Sequence, residues 1–271
     1  MTLLHRAYRL FRSEGAGAVA NEARKKFGGY LDPLYQLTKP EYKQYTVSDV
    51  SAEFDMSRHR LDRHDFVDDI RSERALIERV LSAVEADDVF YDIGANVGIY
   101  SCLIGDRLDS GRAVAFEPTP EAYDVLRRNV DRNDVPVETF NVALSDANGT
   151  TRMTVNGRTG HQFADGRDGT LEIETRRGDD LVDEHGLQPP NVCKVDIEGA
   201  EYLALDGLRE TLGDPNCRRV FCEIHTEKVR EIGGSADEVE TLLRELGFDL
   251  EYLGDRRANY FVEASRPPER R

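Results

Sequence analysis

The stretch DVFYDIGANVGIYS, from Asp88 to Ser101, decides the fold class of this 271-residue chain. The apolar, β-favouring run from Val89 to Ile93 is typical of a buried strand in a parallel sheet. Gly94 and Gly98 follow it, and apolar residues then recur at helical spacing. The sequence therefore predicts a strand, a glycine-bearing turn and a helix. Nucleotide cofactors bind at such corners, because glycines allow close approach and the helix start offers unpaired N–H groups.

The composition of this turn indicates which cofactor it binds. A dinucleotide fingerprint has three glycines, G-x-G-x-x-G, and here the middle glycine is missing. Asp92, just before Gly94, would repel a pyrophosphate but suits a cation such as an α-ammonium or a sulfonium. The next strand ends in Glu117, whose carboxylate can accept hydrogen bonds from both ribose hydroxyls. Asp92 would contact the amino-acid end of the cofactor, and Glu117 would contact its ribose. Together they predict S-adenosylmethionine as the cofactor.

Strands and helices alternate from Asp88 onward, which predicts a doubly wound, mostly parallel sheet with helices on both faces. The third strand is expected from Val137 to Ala143. Ligands lie at the carboxyl edge of such sheets, so the end of this strand is placed to meet an adenine. The predicted cofactor contacts are Asp92, Gly94, Asn96, Gly98, Glu117, Asn141 and Val142.

Residues 145–178 interrupt the alternation with two short β patterns, Thr150 to Val155 and Thr170 to Thr175. A long polar insert beside a cofactor crevice is typical of a lid or substrate loop, although it also fits a plain excursion of the chain. Arg158 and His161 within the insert are therefore predicted to contact the substrate.

The densest charge at a strand end lies in the segment NVCKVDIEGAEYLALDGL, residues 191–208. Charges at the end of a buried strand are costly unless they are paired or used. A following strand, Val220 to Ile224, brings further polar residues to the same edge. Catalytic roles are predicted for Lys194, Asp196, Glu198 and His225, and a substrate contact for Glu223. The cluster fits a base with a substrate clamp, a divalent-cation site, or a structural Lys194–Asp196 ion pair with capping acids; no residue is assigned as a metal ligand.

Composition restricts the class of partner and the environment. The net charge of −16 argues against a nucleic-acid partner, which would need a basic surface. Asp and Glu number 52, and only six of the 36 cationic side chains are lysines. This composition predicts a salt-adapted cytoplasm, although it also fits an ordinary acidic protein. The four cysteines form no C-x-x-C pair, which favours buried free thiols in a reducing compartment over disulfides or zinc ligands.

The ends of the chain are expected to differ from its centre. Residues 1–40 are interpreted as a basic amphipathic helical appendage, which fits either a peripheral membrane contact or packing against a protein surface. Residues 41–69 are expected to form a linker with a small strand pair, 70–265 the main domain, and 266–271 a disordered tail. No apolar run is long enough to span a bilayer, so the chain is expected to be cytoplasmic.

Five motifs in order resemble those of FkbM-type methyltransferases: DIGANVG from Asp92, FEP from Phe116, ALSD from Ala143, KVDIEGAE from Lys194 and EIH from Glu223. The resemblance spans roughly residues 70–262. It implies a class I methyltransferase fold, Rossmann-like, with a seven-stranded sheet whose last two strands, Phe248–Leu253 and Asn259–Val262, are antiparallel. It also implies cofactor contacts at Asp92, Gly94 and Glu117, acceptor contacts by the acids of KVDIEGAE, and O-methyl transfer to a sugar of a glycan or glycolipid.

The chemistry depends on which oxygen of the acceptor is methylated. A sugar hydroxyl needs a base, for which His225 or Asp196 is the candidate. The carboxylate of a hexuronic acid needs no base but requires a cation nearby, such as Lys194, Arg158 or His161. Two other hypotheses remain open from the sequence: a nicotinamide-dependent sugar oxidoreductase, and a non-catalytic scaffold of a glycan-assembly complex.

Overall fold

The computed structural model of the chain describes residues 41–55, 66–156, 160–163, 170–253 and 259–267. Thirteen strands and eight helices lie within these ranges. The strands are β1 Tyr42–Val47, β2 Val50–Asp55, β3 Val89–Ile93, β4 Arg112–Phe116, β5 Val137–Phe140, β6 Ala143–Ser145, β7 Gly149–Asn156, β8 Gly160–Phe163, β9 Thr170–Arg177, β10 Val192–Val195, β11 Arg219–Ile224, β12 Asp249–Leu253 and β13 Tyr260–Ser265. The helices are α1 Phe66–Ala83, α2 Ile99–Arg107, α3 Pro120–Asn133, α4 Gly178–His185, α5 Glu201–Gly207, α6 Arg209–Gly213, α7 Thr226–Glu231 and α8 Ala236–Glu245.

The main sheet has seven strands in the order β12-β13-β11-β10-β3-β4-β5. The pairs from β11 through β5 are parallel, whereas β13 is antiparallel to both β11 and β12. This is the class I methyltransferase arrangement, and the antiparallel last pair confirms the expectation. The strand order reverses between β3 and β10, which creates a crevice at the carboxyl edge of the sheet.

Strand β3 lies at the centre of the core, and all five of its residues are buried. Because side chains alternate along a strand, Val89, Tyr91 and Ile93 face one side of the sheet and Phe90 faces the other. The helices α4, α5 and α8 cover the first side, and α1, α2 and α3 cover the second. Helices on both faces were predicted from the alternation of strands and helices.

A second, four-stranded sheet in the order β6-β9-β7-β8 forms the insert. The sequence pattern predicted β7 and β9 but not β8. It also predicted that the third strand continues to Ala143, three residues beyond its observed end at Phe140. Strand β5 ends at Phe140, because Asn141 turns the chain and donates from Nδ2 to the carbonyls of Glu117 (2.8 Å) and Pro118 (3.0 Å). The residues from Ala143 then pair with β9 instead of extending β5.

The hairpin β1–β2 occupies the segment in which a small strand pair was expected. It is not a separate linker region, since Val47 and Phe54 are fully buried in the same apolar cluster as α1 and α2. Asp55 also pairs with Arg128 of α3, at 2.8 Å. Helix α1 begins at Phe66, before the expected domain boundary at residue 70.

At the carboxyl end of the chain the structure is described as far as residue 267. Residues 1–40 and 268–271 lie outside the described residues. Arg266, which had been assigned to a disordered tail, is instead held in place: it donates to the carbonyls of Cys217 (2.8 Å) and Leu212 (2.7 Å) and lies over the Phe248 ring. All four cysteines are buried free thiols, as predicted.

Candidate active site

The turn after β3 is closed against β4 and β10. Gly94 adopts a φ of +80°, and its N–H donates to the Phe116 carbonyl at 3.0 Å. A Cβ on Gly94 would lie 2.0 Å from the Asp196 carbonyl oxygen, so no other residue fits here. Gly98 also has a positive φ, +86°, immediately before α2. The positive φ angles and the close approach of the chain explain why this turn requires glycine.

A cavity of about 270 Å³ opens at the carboxyl ends of β3, β4, β10 and β11. Its position between β3 and β10 is where ligands bind in open parallel sheets. The predicted site residues that line it are Gly94, Asn96, Glu117, Val142, Asp196, Glu198, Glu223 and His225. The structure therefore brings the predicted cofactor end and the predicted acceptor end into one cavity.

Glu117 lies on the wall of the cavity next to the glycine turn. One carboxylate oxygen accepts the Asn96 N–H at 2.9 Å, and the other accepts the Thr119 N–H at 2.8 Å. Each oxygen of an ionised carboxylate acts only as a hydrogen-bond acceptor, which is the role that a ribose hydroxyl needs opposite it. The two backbone contacts fix the orientation of the carboxylate at the cavity wall.

The wall beyond Glu117 is apolar. Phe116, Pro118, Val142 and Leu144 line it, and Phe116 packs against the Phe140 ring. An apolar slot adjoining a fixed carboxylate and a closely approachable glycine turn matches the chemistry of a nucleoside attached to an amino acid. The residues present therefore fit S-adenosylmethionine.

Asp92, Gly98, Asn141 and Lys194 do not line the cavity. Asp92 is fully buried and accepts hydrogen bonds from the Ser101 N–H (3.0 Å) and hydroxyl (2.6 Å), which anchors the first turn of α2. Burial raises the pKa of Asp92, while Lys194 acts in the opposite direction. Asn141 orients the Glu117–Pro118 backbone, as described above. Their predicted functional roles stay predictions. The contacts of Asp92 and Asn141 hold the backbone beside the glycine turn and Glu117 in place.

The Lys194 ammonium is buried between two carboxylates. It lies 3.3 Å from Asp196 and 3.7 Å from Asp92, and 4.8 Å from the centre of the Tyr100 ring. Burial alone would lower the pKa of Lys194, but the charges of Asp196 and Asp92 raise it above its usual value. Lys194 is therefore a buried cation that joins β3 to the loop after β10. A structural ion pair between Lys194 and Asp196 was one of the three possibilities that the sequence left open.

Four acidic side chains surround His225 at the acceptor end of the cavity. Its Nδ1 lies 2.7 Å from Glu201 Oε1, and its Nε2 lies 3.3 Å from Glu198, 3.6 Å from Glu223 and 3.9 Å from Asp196. Burial lowers the pKa of His225, but the hydrogen bond and charge of Glu201 and the neighbouring acids outweigh it and raise the pKa. Burial, together with the charge of Asp196, raises the pKa of Glu223 to about 7.

The sequence analysis did not assign Glu201 to the site. This fully buried residue begins α5 and accepts both the His225 ring N–H and the Gly199 N–H. Nothing in the spacing of the two residues along the chain indicates their contact. The signal available was an acid in the first turn of a helix that follows a charged strand end.

The insert reaches the cavity through Met153 of β7, a buried residue that lines it. His161 lies on β8, where its backbone pairs with Val155 of β7. Arg158 lies outside the described residues. The predicted substrate contacts of Arg158 and His161 stay predictions, although the sheet that carries His161 adjoins the cavity.

Comparison with known proteins identifies the family. The sequence profile of the methyltransferase FkbM domain matches residues 92–250, more than half of the chain. The chain belongs to the FkbM methyltransferase family. It is therefore an S-adenosylmethionine-dependent methyltransferase, and neither the oxidoreductase hypothesis nor the scaffold hypothesis is supported.

Individual relatives within the FkbM family show what the chain is similar to. It is 32% identical over 200 residues to the hexuronic acid methyltransferase AglP of Haloferax volcanii, covering 70% of this chain and 80% of the relative. It is 29% identical to the 31-O-demethyl-FK506 methyltransferase FkbM of Streptomyces tacrolimicus, covering 60% and 73%. A solved precorrin-6y C5,15-methyltransferase from Geobacter metallireducens aligns with a TM-score of 0.47 at 14% identity, covering 72% of this chain and 89% of that one.

Proposed function

We propose that this FkbM-family methyltransferase transfers a methyl group to an oxygen of a hexuronic acid residue in a glycan. The observation that carries the proposal is that one cavity contains both a candidate cofactor contact and candidate acceptor contacts. Glu117 lies beside the glycine turn, and Asp196, Glu223 and His225 lie at the acceptor end. The similarity to AglP, named as a hexuronic acid methyltransferase, supports the choice of acceptor.

The cofactor supplies a methyl group on a sulfonium, from which an acceptor oxygen takes the methyl in an in-line displacement. Gly94, Asn96, Glu117 and Val142 would hold its nucleoside and amino-acid ends. Such a displacement requires mainly alignment of the two reacting atoms and exclusion of water. Met153 supports exclusion of water, because it is buried and forms an apolar part of the wall.

The acceptor end of the cavity is acidic. A hydroxyl acceptor would lose its proton to Asp196 or His225, the predicted bases, both of which line the cavity. A carboxylate acceptor has no proton to lose but needs a positive charge. Among the described residues that line the cavity there is no lysine or arginine, and His225 alone can carry a positive charge.

The proposal is tested by transfer of a labelled methyl group from S-adenosylmethionine to a hexuronic acid glycoside, with the corresponding neutral hexoside as the comparison substrate. We expect transfer to the acidic sugar only, and mild alkali then distinguishes an ester from an ether. With a hydroxyl as the acceptor, for which Asp196 is a candidate base, Asp196→Asn should lower kcat by about 100-fold. The control Asp206→Asn, at a partly exposed position of α5 outside the cavity, should leave kcat unchanged. Transfer to the neutral sugar alone would contradict the proposal.

We also propose that the enzyme works at the cytoplasmic face of a membrane in a salt-adapted cell. Six basic residues against two acidic ones within residues 1–28, together with the spacing of the apolar residues, support a peripheral contact. None of the helices in the described part of the chain is long and apolar enough to cross a bilayer. Replacing Arg6, Arg9 and Arg12 with Gln should release the protein from anionic vesicles at about 0.1 M salt. Equal sedimentation of both proteins with the vesicles would contradict this contact.

A further inference from the structure

We infer that Asp196, Glu223 and His225 form a binding site for a divalent cation at the acceptor end of the cavity. Each residue offers one ligand atom, and these three atoms lie within 4.8 Å of one another. Asp196 follows β10, whereas Glu223 ends the neighbouring strand β11 and His225 follows it. The parallel pairing of β10 with β11 therefore fixes the spacing of the three groups.

The orientation of His225 provides the first argument. Glu201 Oε1 already accepts the Gly199 N–H at 2.9 Å, so the carboxylate acts as an acceptor and His225 Nδ1 must donate to it. Donation from Nδ1 leaves the lone pair of neutral histidine on Nε2, which points into the acidic group. A histidine whose second nitrogen donates to a carboxylate is the usual arrangement of a metal ligand.

The surroundings of Nε2 provide an independent argument. The His225 side chain is only 3% exposed, and the hydrogen bond that the described structure gives its ring joins Nδ1 to Glu201. Its nearest oxygens, 3.3–3.9 Å away, belong to Glu198, Glu223 and Asp196. Ionised carboxylates accept hydrogen bonds but do not donate them. A positive charge among these groups, carried by a metal ion in our inference, offsets the repulsion between the carboxylates and the lone pair.

The pairing of the acids shows which of them are available. The Lys194 ammonium contacts Asp196 Oδ2, while Asp196 Oδ1 is the oxygen that faces His225. Glu198 is occupied by an ion pair with Lys228. In the ion pairs of the described residues, Glu223 has no lysine or arginine partner. One oxygen of Asp196 and the carboxylate of Glu223 thus remain for a cation.

The donor set favours a hard divalent ion that also accepts an imidazole. Two carboxylates and one histidine nitrogen suit Mn²⁺ better than Mg²⁺, which is bound chiefly through oxygens. The side chains of Asp196 and Glu223 are 26% and 20% exposed, so the site opens to the cavity. The remaining coordination positions are therefore accessible to water or to an acceptor oxygen.

The cation would hold the acceptor by its carboxylate, an inference that rests on the proposed function. It supplies the positive charge that a hexuronate needs among Asp196, Glu198 and Glu223. In this arrangement His225 and Asp196 act as ligands and do not take a proton. The competing interpretation, in which a proton alone occupies Nε2 and His225 acts as a base, is an outcome of the test.

The test is Mn²⁺ binding to the purified, EDTA-treated full-length protein, followed by electron paramagnetic resonance without acceptor. We expect one Mn²⁺ per chain with ¹⁴N coupling in the echo-modulation spectrum. His225→Gln should remove the coupling, and Glu223→Gln should weaken binding at least tenfold. Asp87→Asn, at an exposed position in the acidic group of Glu85, Asp87 and the buried Asp88, is the matched control and should retain both signals. Retained S-adenosylhomocysteine binding would show that each variant is folded.

Absence of Mn²⁺ binding at millimolar concentration would overturn the inference and leave the proton interpretation. Binding without nitrogen coupling, or binding lost in Asp87→Asn and kept in Glu223→Gln, would overturn it in favour of surface acids. Because no acceptor is present, failure of the proposed function gives a different result: a protein that binds Mn²⁺ but does not methylate a hexuronic acid.

Discussion

Gly94 lines the cavity and lets the turn after β3 lie directly against the backbone of Asp196. Its φ of +80° is costly for any residue with a Cβ, and that Cβ would also collide with the Asp196 carbonyl. Gly186 has a similar φ, +61°, at the end of α4, but a Cβ there would meet nothing within 4 Å. Replacing Gly186 by alanine would therefore cost only the strain of a positive φ, whereas replacing Gly94 would add a collision with the backbone.

We expect Gly94→Ala to destabilise the protein by about 3 kcal/mol or more, since it adds a backbone collision to the conformational cost. Gly186→Ala should cost only about 1 kcal/mol. Urea unfolding followed by circular dichroism measures both. Equal losses would show that the chain relaxes around Gly94 and that the close approach to Asp196 is not a constraint.

At the level of single residues, the sequence predicted the groups that follow directly from a strand end. Gly94, Glu117, Asp196 and His225 all line the cavity, because parallel strands place their carboxyl ends at one edge. The contact between Glu201 and His225 was not predictable in this way. It depends on how α5 packs against the end of β11, and no periodicity in the sequence encodes that packing.

Among the elements, α8 and the antiparallel pair β12–β13 are linked by one carboxylate. Glu240 of α8 accepts hydrogen bonds from the hydroxyls of Tyr252 and Tyr260, each at 2.7 Å, and from Arg244 at 3.0 Å. Glu240 and Tyr260 are both buried. These strands continue the sheet beyond β11, which carries Glu223, so the link supports one edge of the site.

We expect Tyr260→Phe to lower the free energy of unfolding by about 1–2 kcal/mol, because the buried Glu240 carboxylate loses one hydrogen bond. Tyr252→Phe, at a partly exposed position, should cost less, since water can replace the lost hydroxyl. Thermal unfolding of both variants measures the difference. A larger loss in Tyr252→Phe would contradict the role assigned to burial at Glu240.

The elements themselves were largely predictable, and the exceptions have physical causes. Strands β3, β4 and β10 are nearly continuous apolar runs, which is typical of strands buried on both faces. Strand β6 was merged with the third strand, because nothing in the apolar pattern marks the turn made by Asn141. Strand β8 is a short polar segment, GHQF, that is a strand only through its pairing with β7.

At the scale of the whole molecule, the excess of acids makes stability depend on salt. The net charge is −16 over 271 residues, and like charges on a compact surface repel one another. Salt screens this repulsion over distances beyond about 10 Å at 0.1 M and about 3 Å at 1 M. The folded state therefore gains stability as salt is added.

We expect the Tm to rise by about 5–10 °C between 0.1 and 2 M KCl, which corresponds to roughly 2 kcal/mol for a domain of this size. Replacing the exposed acids Asp124 and Asp131 of α3 with Asn should reduce the rise, because the surface then carries less negative charge. Calorimetry at several KCl concentrations measures both proteins. A Tm independent of salt would contradict a stability limited by charge repulsion.

The most direct test of the methyltransferase site is calorimetric titration of the full-length protein with S-adenosylhomocysteine in high salt. Wild type should bind one molecule per chain. Glu117→Gln should bind 10- to 100-fold more weakly, a loss of about 1.4–2.8 kcal/mol, because the ribose loses a charged acceptor. The control Glu121→Gln, exposed on α3 and outside the cavity, should bind like wild type. Equal binding by Glu117→Gln and wild type, or no binding by wild type, would contradict the assignment of this cavity to the cofactor.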